Sequence, residues 1–193
     1  MLQVARLSPK LLGEAADLVA DIPHTPIAAY LRPLGDGESL DFIHLGCLAR
    51  CWANLPAILR DESPRLGIAA RIERHRSRDG GYSPALSIHP EVKESHGTLY
   101  GCFLAAASYQ DLKVDMRRPL AMLDCIQRLR AADWGYANQE DVPVGLTPAT
   151  ALHALAGMQV DISAIQEPCL DYIDTLCTNL LHRRCFNLTQ PPL

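Results

Sequence analysis

The chain has 193 residues, enough for one domain with a real core. Its 48% hydrophobic and 21% charged residues are ordinary for a globular protein, and a formal charge of -4 with a pI of about 5.9 argues against nucleic acid as the main partner, since a phosphate backbone asks for a basic face. No apolar run reaches the ~18 residues of a membrane span, Glu14, Asp17 and Asp21 break up the N-terminal apolar stretch so that no secretory leader is expected, and seven cysteines without a C-x-x-C pair read as buried free thiols of a reducing cytoplasm.

Seven helices are predicted in chain order. The first opens at Pro9 behind Ser8, with Leu11, Leu12, Ala15, Leu18 and Val19 at helical spacing. The second begins near Asp41 and carries Leu45-Gly46-Cys47-Leu48. The third opens at Pro64 behind Ser63 as N-cap, continues through Leu66, Ala69 and Ala70, and gives way to Asp79-Gly80-Gly81-Tyr82. After a polar loop with His89, Glu91 and Glu94, the fourth starts at Thr98 and contains Tyr100-Gly101-Cys102-Phe103. The fifth opens at Pro119, places Met122, Cys125, Ile126 and Leu129 on one face, and ends before Trp134-Gly135-Tyr136. The sixth opens at Thr147-Pro148 and runs through Ala151, Leu152, Leu155 and Met158. The seventh opens at Pro168 and carries Leu170, Ile173, Cys177, Leu180 and Leu181 before Cys185-Phe186. Proline suits a first helical turn, where its missing N–H is not needed.

Helices of two classes alternate in this order. Pro9, Pro64 and Pro119 are spaced 55 apart (64 − 9 and 119 − 64), and Gly46 and Gly101 by the same interval. The repeating unit is an outer helix, a glycine-aromatic turn and an inner helix, and such a period signals a stacked helical array. The units fall at about 8–55, 63–110, 118–160 and 168–186 of a single domain covering 1–193. Gly81 and Gly135 each precede an aromatic, which predicts a positive φ at one or both.

Two-helix units joined by Asp79-Gly80-Gly81-Tyr82 and followed by His96-Gly97-Thr98-Leu99-Tyr100-Gly101 resemble the prenyltransferase and squalene-cyclase repeat family. Trp134-Gly135-Tyr136, preceded by Gln127, is similar to the QW motif of the cyclases. The resemblance implies an all-α fold, a partial α/α toroid of three to four helical hairpins. It also implies an isoprenoid or isoprenoid diphosphate as ligand, in a cavity lined by inner helices, transformed by prenyl transfer or cyclisation. Two departures separate this chain from that family. Leu45 stands where the transferases carry a zinc-binding aspartate, with Cys47 and His96 at or near the other two ligand positions. The acidic D-x-D-D proton donor of the cyclases has no counterpart. The alternative reading is a non-catalytic binding or scaffold module that keeps the repeat.

The candidate ligand-binding residues are Tyr100 and Phe103, on an inner helix, and His96 at its start, where the helix dipole favours a neutral imidazole or a bound anion. Catalytic residues are not assigned, and no cofactor is expected. The minor metal candidates are His44 and Cys47, with Cys51 at i, i+3 and i+7 of one helix, and His96, a set that zinc would accept; the competing reading is a core helix whose cysteines pack as small apolar groups. Tyr82, Trp134 and Tyr136 read as wedges between repeats. Arg71, Arg74, His75, Arg76 and Arg78 read as solvent-facing cations near a helix C-terminus, with diphosphate binding as the alternative. The apolar last helix calls for a homodimer or a partner protein.

Overall fold

The computed structural model describes residues 22–60, 62–85, 96–132, 134–140 and 148–187, with side chains placed up to residue 176 except at 148, 149 and 153. The Pro9 helix, Thr147 and the loop acids and histidine at 89–94 lie outside the described residues, as do the side chains of Cys177, Leu180, Leu181, Cys185 and Phe186.

The fold is all-α. Seven helices are described: α1 (His24–Leu31), α2 (Phe42–Asn54), α3 (Ser63–Arg74), α4 (Leu99–Leu112), α5 (Pro119–Arg128), α6 (Pro148–Gly157) and α7 (Ser163–Asn187), with 3-10 turns at Arg32–Leu34 and Ala57–Leu59. Local chemistry explains most of the boundaries. Asp41 caps α2 by accepting the His44 backbone N–H at 2.9 Å, and Thr98 caps α4 by accepting that of Gly101 at 2.9 Å. Pro119 opens α5, behind Arg118 in a left-handed conformation. α4 stops at Lys113, also left-handed, whose N–H returns to the last turn.

Three boundaries depart from expectation. Ser63 is the first helical residue of α3, and Glu62 occupies the N-cap without a side-chain cap. α7 begins five residues before Pro168, because Asp161 accepts the Ser163 N–H at 2.9 Å and starts the helix there, leaving the proline inside it. α1 was not anticipated: its first turn holds Pro26, and only Ala28 and Leu31 are buried along its eight residues, so it shows little periodicity.

α2, α4 and α6 pack successively side by side; α3 packs against both α2 and α4, α5 against α4, and α7 against α6. The contacts fix the directions. A Cβ on Gly46 of α2 would meet Leu104 and Ser108 of α4, and Arg50 pairs with Asp111 at 2.7 Å, so α2 and α4 run parallel. Gly157 of α6 approaches Gln110 and Ala106 of α4 in the same sense. α3 runs back along α2: its end at His75 stacks on Phe42, with ring centroids 4.4 Å apart, while its start shares a cleft with Trp52. Between these layers lies the core of Phe42, Leu45, Ile68, Ile72, Tyr82, Leu99, Cys102, Met122, Ile126 and Tyr136.

The repeat is visible in the turns that follow α3 and α5. Each closes with one antiparallel bridge, Arg76 with Tyr82 and Arg130 with Tyr136, an offset of 54 (130 − 76). The surrounding bonds correspond: Ser83 N–H to His75 O matches Ala137 N–H to Leu129 O, and Ser77 N–H to Gly81 O matches Ala131 N–H to Gly135 O. The left-handed residue of each turn lies one position before the expected glycine, at Gly80 (φ 91) and Trp134 (φ 66). Gly81 is required for a different reason: a Cβ there would collide with Cys125 and come within 3.1 Å of the Gly97 Cα.

Candidate functional site: the open face of the inner row

α4 is packed against α3 through Tyr109, which is 6% exposed. The opposite side of α4 carries Tyr100, Phe103 and Leu104, because residues three and four apart share a helix face. Tyr100 is 40% exposed, Phe103 and Leu104 are half-buried, and the Tyr100 and Phe103 rings stack 6.1 Å apart at 27°. On α2 the side away from the core carries Ile43, His44, Cys47 and Cys51, all exposed. This corrects the expectation that these cysteines pack in the core: the apolar contacts of α2 go to Phe42, Leu45, Leu48, Ala49 and Trp52, leaving both thiols on the far side. Cys102, Cys125 and Cys169 are buried free thiols. The Cys51 thiol is pushed above its ordinary 9.0 by partial burial and by the neighbouring Cys47.

The predicted site residues are thus only partly brought together. Tyr100 and Phe103 form one patch. His96 stands at the N-terminal edge of α4, exposed, with Nδ1 3.8 Å from the Glu140 carboxylate. His44 turns back to Asp41, Nδ1 to Oδ1 2.8 Å. Among the described residues no three His, Cys, Asp or Glu side chains gather as a metal site, so the His44–Cys47–His96 set is not assembled. The described clefts lie elsewhere. One of about 620 Å3 is bounded by the C-terminal ends of α4 and α6 with Val114, Met116 and Pro119, and one of about 370 Å3 by Leu66, Ala69, Ala70, Glu73 and Tyr109.

Two clusters of ionised groups, one around Arg76 and one around Asp79, hold the turns in place. Arg76, 3% exposed, donates from Nε to Glu73 Oε1 at 2.7 Å, from Nη1 to Gly80 O at 2.8 Å, and from Nη2 to the Tyr82 hydroxyl at 2.6 Å and to the Arg117 carbonyl. Glu73 Oε2 also accepts from the Tyr82 hydroxyl at 2.9 Å and the Tyr109 hydroxyl at 2.8 Å. Burial alone would raise the Glu73 carboxyl, but the bonds from Arg76, Tyr109 and Tyr82 outweigh it and hold the group below its ordinary 4.5. Burial pushes the Tyr109 hydroxyl up to about 12, so it stays protonated and able to donate. His75 and Arg76 therefore do not face solvent as expected: the chain turns inward after α3, and their charge or ring is taken up by Glu73, Tyr82 and Phe42. Asp79 is the second anchor, accepting from Ser77 Oγ at 2.5 Å, Gly81 N at 3.0 Å, Gly97 N at 3.1 Å and Arg128 Nη2 at 2.9 Å. The sequence signal for these groups was the Glu73-x-x-Arg76 spacing, one turn apart on α3.

No protein-family model, curated protein or solved structure matches this chain.

The anchors have little capacity left for chemistry. The acceptor sites of Glu73 and Asp79 are occupied by the protein's own donors, and Tyr82 is fully buried, its hydroxyl pushed well above its ordinary value mainly by that burial. The stacked pair on α4 has the opposite character: it is aromatic, with Tyr100 exposed and Phe103 half-buried.

Proposed function

We propose that this chain is a binding module built on a partial α/α toroid, and that it holds an elongated apolar ligand of the isoprenoid class along the open face of its inner row. The observation that carries the reading is the Tyr100–Phe103 stack on the side of α4 away from Tyr109, with Tyr100 40% exposed and Phe103 half-buried. Accessible aromatic faces favour apolar and polyene chains through burial and dispersion. A binding role is preferred to prenyl transfer or cyclisation because the buried ionised groups are spent on the turns and because Leu45 replaces the transferases' aspartate.

The test is a titration of the purified chain with farnesol, geranylgeraniol and farnesyl diphosphate, following intrinsic fluorescence. Saturable binding weakened at least tenfold by Tyr100→Ala with Phe103→Ala supports the module. Absence of binding at millimolar ligand overturns it, and a new prenylated or cyclised product in the mixture favours the enzyme. Association of two copies belongs to the same proposal and rests on α7, where Leu170 is 42% exposed and Ile173 and Leu176 are half-buried. Light scattering showing a monomer at micromolar concentration would remove it.

A further inference from the structure

The cleft where the C-terminal ends of α2 and α4 meet the start of α3 is small, about 90 Å3, and unlike the inner-row face it is rich in nitrogen. Trp52 forms one wall at 6% exposure, and its indole N–H has no hydrogen-bond acceptor among the described residues. A second buried donor in the same cleft, Arg65 Nε, is also without one: the Glu62 carboxylate lies 3.2 Å away but off the N–H direction. Indole and guanidinium groups donate and cannot accept, so the chemistry missing from this cleft is an acceptor. An unsatisfied buried donor is destabilising, and a bound acceptor would recover that loss.

The walls decide what kind of acceptor. Arg60, Arg65 and Lys113 line the cleft with Glu62 and Asp111. Asp111 is already matched by Arg50 at 2.7 Å, and Arg60 is anchored through its Nε to the Leu55 carbonyl at 2.7 Å. Among the described lining residues three cations therefore face two carboxylates. The volume suits one tetrahedral oxyanion or a few waters. We propose that this cleft binds a phosphate group, with Trp52 and Arg65 as its buried donors and Arg60 and Lys113 supplying charge. This site is independent of the inner-row reading, since it lies on other residues at the opposite ends of α2 and α4 from Ile43 and Tyr100.

The chain contains two tryptophans, Trp52 and Trp134, so the 15N-labelled protein gives two indole signals that Trp134→Phe assigns. Inorganic phosphate is added at constant ionic strength, with acetate and chloride as separate arms. The expected result is a saturable shift of the Trp52 indole with phosphate, no shift of Trp134, and at least tenfold weaker binding in Arg65→Gln at an unchanged melting temperature. Trp52→Phe, read by calorimetry, should weaken phosphate several-fold. A Trp52 signal that moves with no anion means a cleft filled by water only and overturns the proposal. A response to acetate alone, or equal movement of both indoles with no effect of Arg65→Gln, overturns it as well.

Discussion

Gly97 is pressed against Gly81: a Cβ built on Gly97 would stand 2.7 Å from the Gly81 Cα and 2.7 Å from the Tyr82 nitrogen. The contact seats the turn after α3 on the start of α4, where Thr98 N–H reaches the Tyr82 carbonyl at 2.8 Å. Gly97, between His96 and Thr98, is thus explained by backbone approach.

Gly97→Ala should destabilise the chain by about 1–3 kcal/mol, the usual cost of forcing atoms into a packed site. Both neighbours are backbone and cannot swing away. Urea denaturation should show a lower midpoint at unchanged slope, whereas Gly157→Ala, whose Cβ would meet only ordinary contacts at 3.7 and 4.0 Å, should cost little. Equal losses in the two variants would contradict the account.

The two corresponding turns should respond unequally to exchange at their left-handed residue. Gly80→Ala places a side chain at φ 91 and against Ala121, and should lose at least about 1 kcal/mol. Trp134→Gly relaxes a φ of 66 but gives up the stacking of Arg130, 4.5 Å from the ring centre, so the two effects should nearly cancel. Thermal melts of the pair decide it.

Stability should fall on mild acidification because of His75. Burial, chiefly, and the charge of Arg74 lower its imidazole below the ordinary 6.5, outweighing the bond to Ser83 O. The unfolded chain then binds the proton more readily than the folded one. Stability is whole above pH ~6.5, and drops as pH falls from there towards the folded value. His75→Phe, which keeps the stack on Phe42, should flatten the change in denaturation midpoint between about pH 7.5 and 5.5. An unchanged slope would show that another group is responsible.

Among the described cysteines, maleimide labelling of the native protein should modify Cys47 and Cys51 and spare Cys102, Cys125 and Cys169. Labelling of Cys51 should quicken as pH rises past 9, since its thiol titrates above that value. Peptide mapping by mass spectrometry reads both, and early modification of Cys102 would refute the packing of α4 on α5.

The positions of α2 to α6 were legible because each boundary is written in local residues: Asp41, Pro64, Thr98, Pro119 and Pro148 all act within one turn of their own helix. α1 was illegible, because eight residues with a proline in the first turn leave no periodicity to read. Burial of Arg76 and His75 was illegible for another reason. It depends on Tyr109 and Phe42, which reach them from α4 and α2, and no local pattern encodes that meeting. Exposure of Cys47 and Cys51 belongs to the same class, since Leu45, Leu48 and Trp52 compete for the core and only packing decides which side wins. Tyr100 and Phe103 were legible as a pair from their spacing, and the stack adds that their rings share one surface.

The opposed directions of α2 and α3 bear on how the array can grow. Peptide dipoles add along a helix to about half a charge at each end. A row of parallel inner helices alone would gather like partial charges at each rim. With α3 returning beside α2 and α5 beside α4, every hairpin brings its positive and negative ends together and is close to neutral as a unit. Duplicating one hairpin would therefore leave the rim potential almost unchanged, and the number of repeats is free to be set by side-chain packing at the two terminal helices.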